Sequence, residues 1–305
     1  MVRKIIIGLF LNIVAFLSIA QQYPQFSQRM LDEIVFNPAI IGTKSIDRIM
    51  LHHRSQWVGF DGAPMTQIIS YDGYFMDNMG LGGFLMNDIT GPTRRLSFNL
   101  GYAYQLKFEK VTLSIGLMGT VIQYGIDGNR VTLHESLDPS IYEGVSDRTW
   151  KPDVSLGTYI YNDDFFAGIA VIQLFTSRVH LFKNESFEAV IPLIQHFYLT
   201  SGYKFHLDEE FDLQPSMLIS GTVGSPIQID FNMKLDYQKK IFGGLTYRYD
   251  DALVILLGMK IKQRFMLAYS YDIVISQLRK TNSGSHEIIL SFDLLKTEET
   301  TSLIQ

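Results

Sequence analysis

Leu96-Ser97-Phe98-Asn99-Leu100-Gly101-Tyr102-Ala103-Tyr104-Gln105 alternates an apolar or aromatic residue with a small or polar one. The same two-residue beat returns in Ile227, Ile229, Phe231, Met233, Leu235 and Tyr237, set against Gln228, Asp230, Asn232, Lys234, Asp236 and Gln238. Successive side chains of a strand point to opposite faces, so each stretch makes a ribbon with one oily and one wet side. Alternating segments of roughly ten residues, repeated along a chain and rich in aromatics, are the pattern of an outer-membrane β-barrel.

Working outward, fourteen segments carry the pattern: 47–57, 65–75, 79–87, 94–106, 110–125, 150–162, 165–174, 193–205, 210–220, 227–237, 241–249, 252–261, 264–272 and 285–295. The connections between them sort by parity. Every second one is short, at Met76-Asp77-Asn78, Lys107-Phe108-Glu109, Asp163-Asp164, Gln238-Lys239-Lys240 and Lys262-Gln263. The long ones, 126–149, 175–192 and 273–284, fall on the other side, where Asp250-Asp251 is a brief exception. Short periplasmic turns opposite longer outer loops, with an even strand number, are the barrel arrangement. The expected fold is therefore all-β: a transmembrane antiparallel β-barrel of about 14 strands with both termini periplasmic.

Residues 1–20 read as a secretory signal peptide: Arg3 and Lys4, an apolar run from Ile5 to Leu17, and Ser18-Ile19-Ala20 as a small-x-small cleavage site. Beyond it no apolar run approaches the roughly 20 residues of a membrane helix. The mean hydropathy of +0.10 suits a barrel, whose apolar residues are diluted by alternation. Removing Arg3 and Lys4 from 26 basic residues leaves 24 against 31 acidic ones, a formal charge near −7. That balance argues against a nucleic-acid partner. The chain has no Cys, which excludes disulfides, thiol catalysis and lipid attachment through an N-terminal Cys. The expected divisions are signal peptide 1–20, a periplasmic lead or lumen plug 21–45, barrel 46–295 and periplasmic tail 296–305.

Some stretches depart from the alternation. Phe165 to Leu174 is apolar on both faces and suits packing against an inserted segment. Gln28 to Val35 reads as a short helix ending before Asn37-Pro38. Pro215 cannot donate to a ladder, so a bulge or strand irregularity is expected there. Arg248, Arg264, Asp272 and Lys234 fall on inward positions. A cation on the lipid face at mid-membrane costs about 2–4 kcal/mol, so avoidance of lipid is the first reason for that sorting.

Three motifs carry a resemblance. They are Pro24-Gln25-Phe26-Ser27-Gln28 with Asn37-Pro38-Ala39 and Gly42; Arg54-Ser55-Gln56-Trp57-Val58-Gly59-Phe60-Asp61-Gly62-Ala63-Pro64 with Gln67; and Gly284-Ser285-His286-Glu287-Ile288. Together they resemble the PorP/SprF family of outer-membrane proteins from Bacteroidota. The resemblance implies a role in type IX secretion and, in gliding species, in export and display of adhesins. It implies an adhesin-type cargo, other secretion components on the periplasmic side, and outer-membrane lipid around the barrel. The second motif makes Arg54, Gln56, Trp57, Gly59, Phe60, Asp61, Gly62 and Pro64 candidate partner-binding residues. On residue chemistry alone it also reads as architecture: Arg54 and Gln56 inward, Trp57 toward lipid or the interface, and Gly59, Asp61-Gly62 and Pro64 forming a tight bend. His286 and Glu287 are candidates for the seam between first and last strands.

Catalytic patterns are sparse. Adjacent His52 and His53 point to opposite strand faces and cannot chelate one metal. No HExxH, phosphate loop or Gly-x-Ser-x-Gly occurs. No cofactor, metal or catalytic residue is assigned, and an enzyme is not expected. Three readings are carried forward. The first is a secretion barrel supporting export or surface attachment of a large secreted protein. The second is a channel for small solutes. The third is an outer-membrane lipid hydrolase using His134 or His180 beside Asp138 or Ser177. All three require a bilayer, so the leaderless chain is expected to stay in solution only with detergent. Elution as a folded monomer from detergent-free buffer would overturn the barrel reading.

Overall fold

The computed structural model describes residues 23–44, 46–130, 146–182, 189–262 and 264–294. The expected signal peptide 1–20, the expected tail 296–305, His134 and Asp138 lie outside the described residues. In chain order the strands are β1 (Asp47–Ser55), β2 (Met65–Met76), β3 (Met79–Thr90), β4 (Thr93–Lys107), β5 (Thr112–Ile126), β6 (Asp147–Tyr161), β7 (Phe165–Ile172), β8 (Arg178–Leu181), β9 (Ala189–Pro192), β10 (His196–Tyr203), β11 (Phe205–His206), β12 (Phe211–Thr222), β13 (Gln228–Tyr237), β14 (Ile241–Arg248), β15 (Ala252–Ile261), β16 (Phe265–Val274) and β17 (Ser285–Leu294).

β8 and β9 form a hairpin of their own, and β11 prolongs β10 along β12. The others make a closed 14-strand antiparallel barrel. β1 is zipped to β17 from Asp47↔Leu294 to Ser55↔His286, and β10 is held by both β7 and β12. Closure is what a bilayer demands, because lipid offers no partner to an open strand edge.

The alternation read from sequence is the alternation of faces. Phe98, Leu100, Tyr102 and Tyr104 stand exposed on the outside of β4, while Ser97, Gly101, Ala103 and Gln105 are buried inside. Connections at one end are short, at 77–78, 108–111, 162–164, 207–210, 238–240 and 262–264; this is the turn end. The opposite, loop end carries 56–64, 127–146, 173–195 and 275–284, with tight links at 91–92, 223–227 and 249–251. The hairpin β8–β9 packs Val179, Leu181 and Phe182 with Ile122 of β5.

The lumen is occupied by the chain itself. Residues 23–44 enter at the loop end, where Tyr23 meets His196 with ring centroids 5.6 Å apart. They leave at the turn end, where the Gly42 N–H donates to Asp72 over 2.7 Å. Phe26, Ile34, Val35, Phe36, Ile40 and Ile41 form one apolar cluster with inward residues of the wall, among them Phe84, Met118, Tyr159 and Tyr198. Ala170 and Ile172 join that cluster, which accounts for the two-sided apolar character of β7. Leu31 packs toward the other half of the wall, against Met50, Leu256 and Ile289.

Several expectations are corrected in detail. The 28–35 stretch forms a single 3-10 turn, Glu33–Val35, followed by a second at Pro38–Ile40 that Asn37 caps by accepting from the Ala39 N–H. A helix would project side chains all round a lumen this narrow, whereas an extended path with two turns follows the wall. The irregularity expected at Pro215 is present as a gap rather than a bulge: the β10–β12 pairing stops at Gly202↔Ser216 and resumes in the same register at Phe205↔Leu213. Arg264 lies exposed in the turn before β16 rather than on an inward strand position. The even strand number brings Asp47 and Leu294 together, yet the first described residue, Tyr23, lies at the opposite end.

Close approach between segment and wall rests on glycines of neighbouring strands. A Cβ on Gly80 would stand 2.2 Å from the Ile41 carbonyl oxygen, on Gly116 2.3 Å from Pro38, and on Gly157 2.0 Å from Asn37 Oδ1. The Asn37-Pro38-Ala39 motif thus lies in a slot that side chains would fill. Gly116→Val is expected to destabilise the folded barrel by about 1–3 kcal/mol through overpacking. Gly119→Val, three residues along β5 and facing out, where a Cβ would meet nothing nearer than the Leu100 carbonyl oxygen at 4.0 Å, is expected to be neutral. The check is the temperature at which each detergent-folded barrel loses its compact, fast-migrating form on electrophoresis. Equal temperatures for both variants would contradict the slot.

Candidate functional site

Period two sets which side chains meet inside. On β1 the inward series that buries Met50 also turns His52 and Arg54 into the lumen, leaving His53 outside. Register places Arg54 opposite Glu287 across the β1–β17 seam. Neighbouring strands contribute Asp272, Arg248 and Asp230 on their own inward series.

These groups form one buried cluster. Arg54 donates to Glu287 and to Asp272, each at 2.8 Å. Arg248 lies 3.1 Å from Asp251, 3.3 Å from Asp272 and 3.6 Å from Asp230. Both guanidinium side chains are only 1% exposed. His52 Nε2 is 3.0 Å from Glu287, and Arg29 of the lumen segment is 3.6 Å from Asp230.

The lumen segment completes the cluster through its backbone as much as through side chains. The N–H groups of Ser27 and Gln28 donate to the two carboxylate oxygens of Glu287, each over 2.7 Å. The Ser27 hydroxyl donates to Asp272 at 2.6 Å and accepts from Arg54 at 2.8 Å and Arg248 at 3.1 Å. The Gln28 amide donates to the Glu287 carbonyl at 2.8 Å. Charges taken out of water are tolerated only when paired and fully hydrogen-bonded. Here three guanidiniums face four carboxylates, and the segment supplies donors that the wall lacks. The arrangement is an anchor that tethers residues 26–29 to the seam.

The sequence-derived candidates separate into three places. Arg54 and Glu287 sit in the anchor. Gln56, Trp57 and Pro64 line a cavity of about 820 Å³ at the loop end, beside Tyr23 and Arg95. Gly59, Phe60, Asp61 and Gly62 do not line it and stand exposed in the same 56–64 loop, the rim of the loop end. Trp57 was expected to face lipid or the interface; strand geometry ends at Ser55, and Trp57, with a left-handed φ of 47°, lines the loop-end cavity. The rim is braced: the Val58 N–H donates to the Gly284 carbonyl, the Ser283 N–H to that of Val58, and the Gly91 N–H to that of Gly62. Gly59 and Gly62, with φ of 93° and 71°, supply the bend. His286 is on the seam but outside, its ring nitrogen 2.7 Å from the Tyr269 hydroxyl. His180 belongs to the β8 hairpin, where its carbonyl accepts from Thr149 at 2.7 Å.

Sequence reasoning noted the inward Arg248 and Asp272 as lipid avoidance and missed their joint role with Ser27, Gln28, Arg29, His52 and Asp230. The available signal was an excess of charge on inward positions of strands at the two ends of the chain.

At the turn end a second cavity, of about 360 Å³, shares no lining residue with the loop-end one. Beside Arg29, Phe36 and Asn37 lies a smaller cavity of about 40 Å³.

The sequence model of a family described as type IX secretion system membrane protein PorP/SprF matches residues 18–292. No curated protein sequence matches the chain. Among solved structures, the Ralstonia pickettii toluene transporter TbuX is similar at 12% identity and a TM-score of 0.50, covering 85% of this chain and 92% of that one. A Pseudomonas aeruginosa FadL homologue is similar at 11% identity and a TM-score of 0.48, covering 85% and 92%. At such identity the likeness to TbuX concerns the barrel fold alone.

Removing one partner of a buried ion pair leaves the other uncompensated, at a cost on the order of 3–5 kcal/mol. Arg54→Ala is therefore expected to lower the barrel's unfolding midpoint in urea far more than Ser27→Ala, whose lost hydrogen bonds cost about 1–3 kcal/mol. Adding Glu287→Gln to Arg54→Ala is expected to recover part of the loss. Additive effects of the two substitutions would show that they do not act as one cluster.

Proposed function

The chain belongs to the PorP/SprF family of type IX secretion membrane proteins, and from that membership we propose that it supports export and surface attachment of a large secreted, adhesin-type protein. The outer-membrane location and the barrel follow from the family and the fold. The observation that supports a handling role over a conduit role is the filled lumen. Residues 23–44 cross the barrel from end to end, bound by an apolar cluster and by the charged anchor. A folded or extended cargo has no path through such an interior. Contacts with cargo then fall to the loop end, at the braced rim 56–64 and the β8–β9 hairpin. Contacts with other secretion components fall to the turn end. In a gliding cell the same surfaces would serve adhesin display.

The second reading, a small-solute channel, has the fold likeness to the toluene transporter TbuX in its favour. It needs the segment to move aside.

Two measurements separate the readings. Deleting the gene is expected to remove at least one large adhesin-type protein from the cell surface, with recovery on complementation. Normal surface amounts of all secreted proteins would refute the secretion role. In planar bilayers the purified barrel is expected to show no steady conductance, whereas a persistent open pore would favour the channel.

A further inference from the structure

The loop-end cavity has a chemistry that neither secretion nor closure of the barrel requires. Among the described residues no Leu, Ile, Val or Met lines it. Its surface is instead made of aromatic rings and the prolines Pro24, Pro64 and Pro192, interspersed with amides, hydroxyls, carboxylates and the Arg95 guanidinium. Trp57 and Tyr124 stand on the wall, with Gln56, Gln228, Asp88 and Asp250 around them. The floor is the start of the lumen segment, with the Tyr23 ring 5.0 Å beneath the Arg95 guanidinium.

We propose that this vestibule binds a short, uncharged oligosaccharide. Pyranose rings present apolar C–H faces that settle on aromatic side chains, and rows of hydroxyls that pair with carboxylates and amides. A purely aliphatic ligand would leave the carboxylates and amides set among those rings without partners. The carboxylates of Asp88, Asp250 and Asp251 outnumber the cation of Arg95, which disfavours phosphates, sulfates and uronates.

The groups are also differently engaged. Asp88 already accepts from the Thr66 hydroxyl at 2.6 Å, and Asp251 accepts from Arg248 at 3.1 Å. Gln228 keeps its carbonyl oxygen available while its amide donates to the Tyr249 carbonyl at 3.1 Å. Asp250 makes no hydrogen bond or ion pair among the described residues and sits exposed in its turn. It is the principal acceptor for a sugar hydroxyl. A volume of about 820 Å³ lies within the range of roughly 300–1,000 Å³ usual for ligand sites.

The chain has two tryptophans, and Trp150 stands 50% exposed on the outer face of β6. Trp150→Phe therefore leaves Trp57 as the single indole reporter. In detergent, this variant is titrated with maltohexaose, chitohexaose and mannohexaose, and with polysaccharide released from the producing cells by mild acid. Hexalysine and inorganic phosphate serve as comparators. The expected result is a saturable shift of Trp57 emission with at least one neutral saccharide. Its affinity should fall about tenfold on Asp250→Asn and on Gln56→Ala, with the compact electrophoretic form retained. Asn is compatible with the left-handed φ of 56° at position 250. No saturable shift with any saccharide, a shift indifferent to both substitutions, or a response to hexalysine or phosphate alone would each overturn the assignment. A barrel that fails the surface-protein assay above yet keeps this response would still carry the site.

Discussion

A bilayer offers its guests no hydrogen bonds, and the rest of this structure follows from that poverty. Every backbone donor and acceptor at membrane depth must be paired within the protein, so strands close into a ring. Closure then divides each strand's side chains into a series that meets lipid and a series that does not. Charges collect on the second series because the first would cost too much. Fourteen strands leave a lumen wide enough to need filling and dry enough that its charges must be neutralised within it.

The lumen segment meets both demands with different parts of its length. Its middle and later residues are apolar and lie against glycines, where the backbone of the wall is bare. Among its early residues, Ser27 and Gln28 offer backbone N–H groups to Glu287, and Ser27 a hydroxyl to Asp272. The anchor falls on the seam of first and last strands, so the segment is tied to the place where the ring is completed. Folding of the segment and closing of the barrel are thereby coupled: the carboxylates at the seam have their full set of partners only when both are in place.

This coupling bears on function. A barrel whose interior is bound by its own chain offers its ends to other molecules. Those ends differ in character. The loop end has a braced rim, a packed hairpin and a polar aromatic vestibule. The turn end has tight links and a smaller cavity edged by ion pairs such as Arg48–Asp293 and Lys234–Asp236. On the reading proposed here, the first faces cargo and the second faces the secretion apparatus.

The alternation and the sorting of turn lengths made all fourteen strands legible, because strand period and turn chemistry are local properties of the chain. The sequence by itself determined the closed barrel, the two faces of each strand and the bend at Gly59 and Gly62. Family motifs marked Arg54, Glu287 and the 24–28 stretch without revealing that they touch. Only the tertiary structure decided that residues 23–44 run the length of the lumen, that Trp57 turns inward beyond the last residue of β1, and that Ser27 meets Glu287 across 260 positions of sequence. Such contacts carry no periodic signal. They arise when the ring closes and buried charges must find their partners among whatever groups closure has brought within reach.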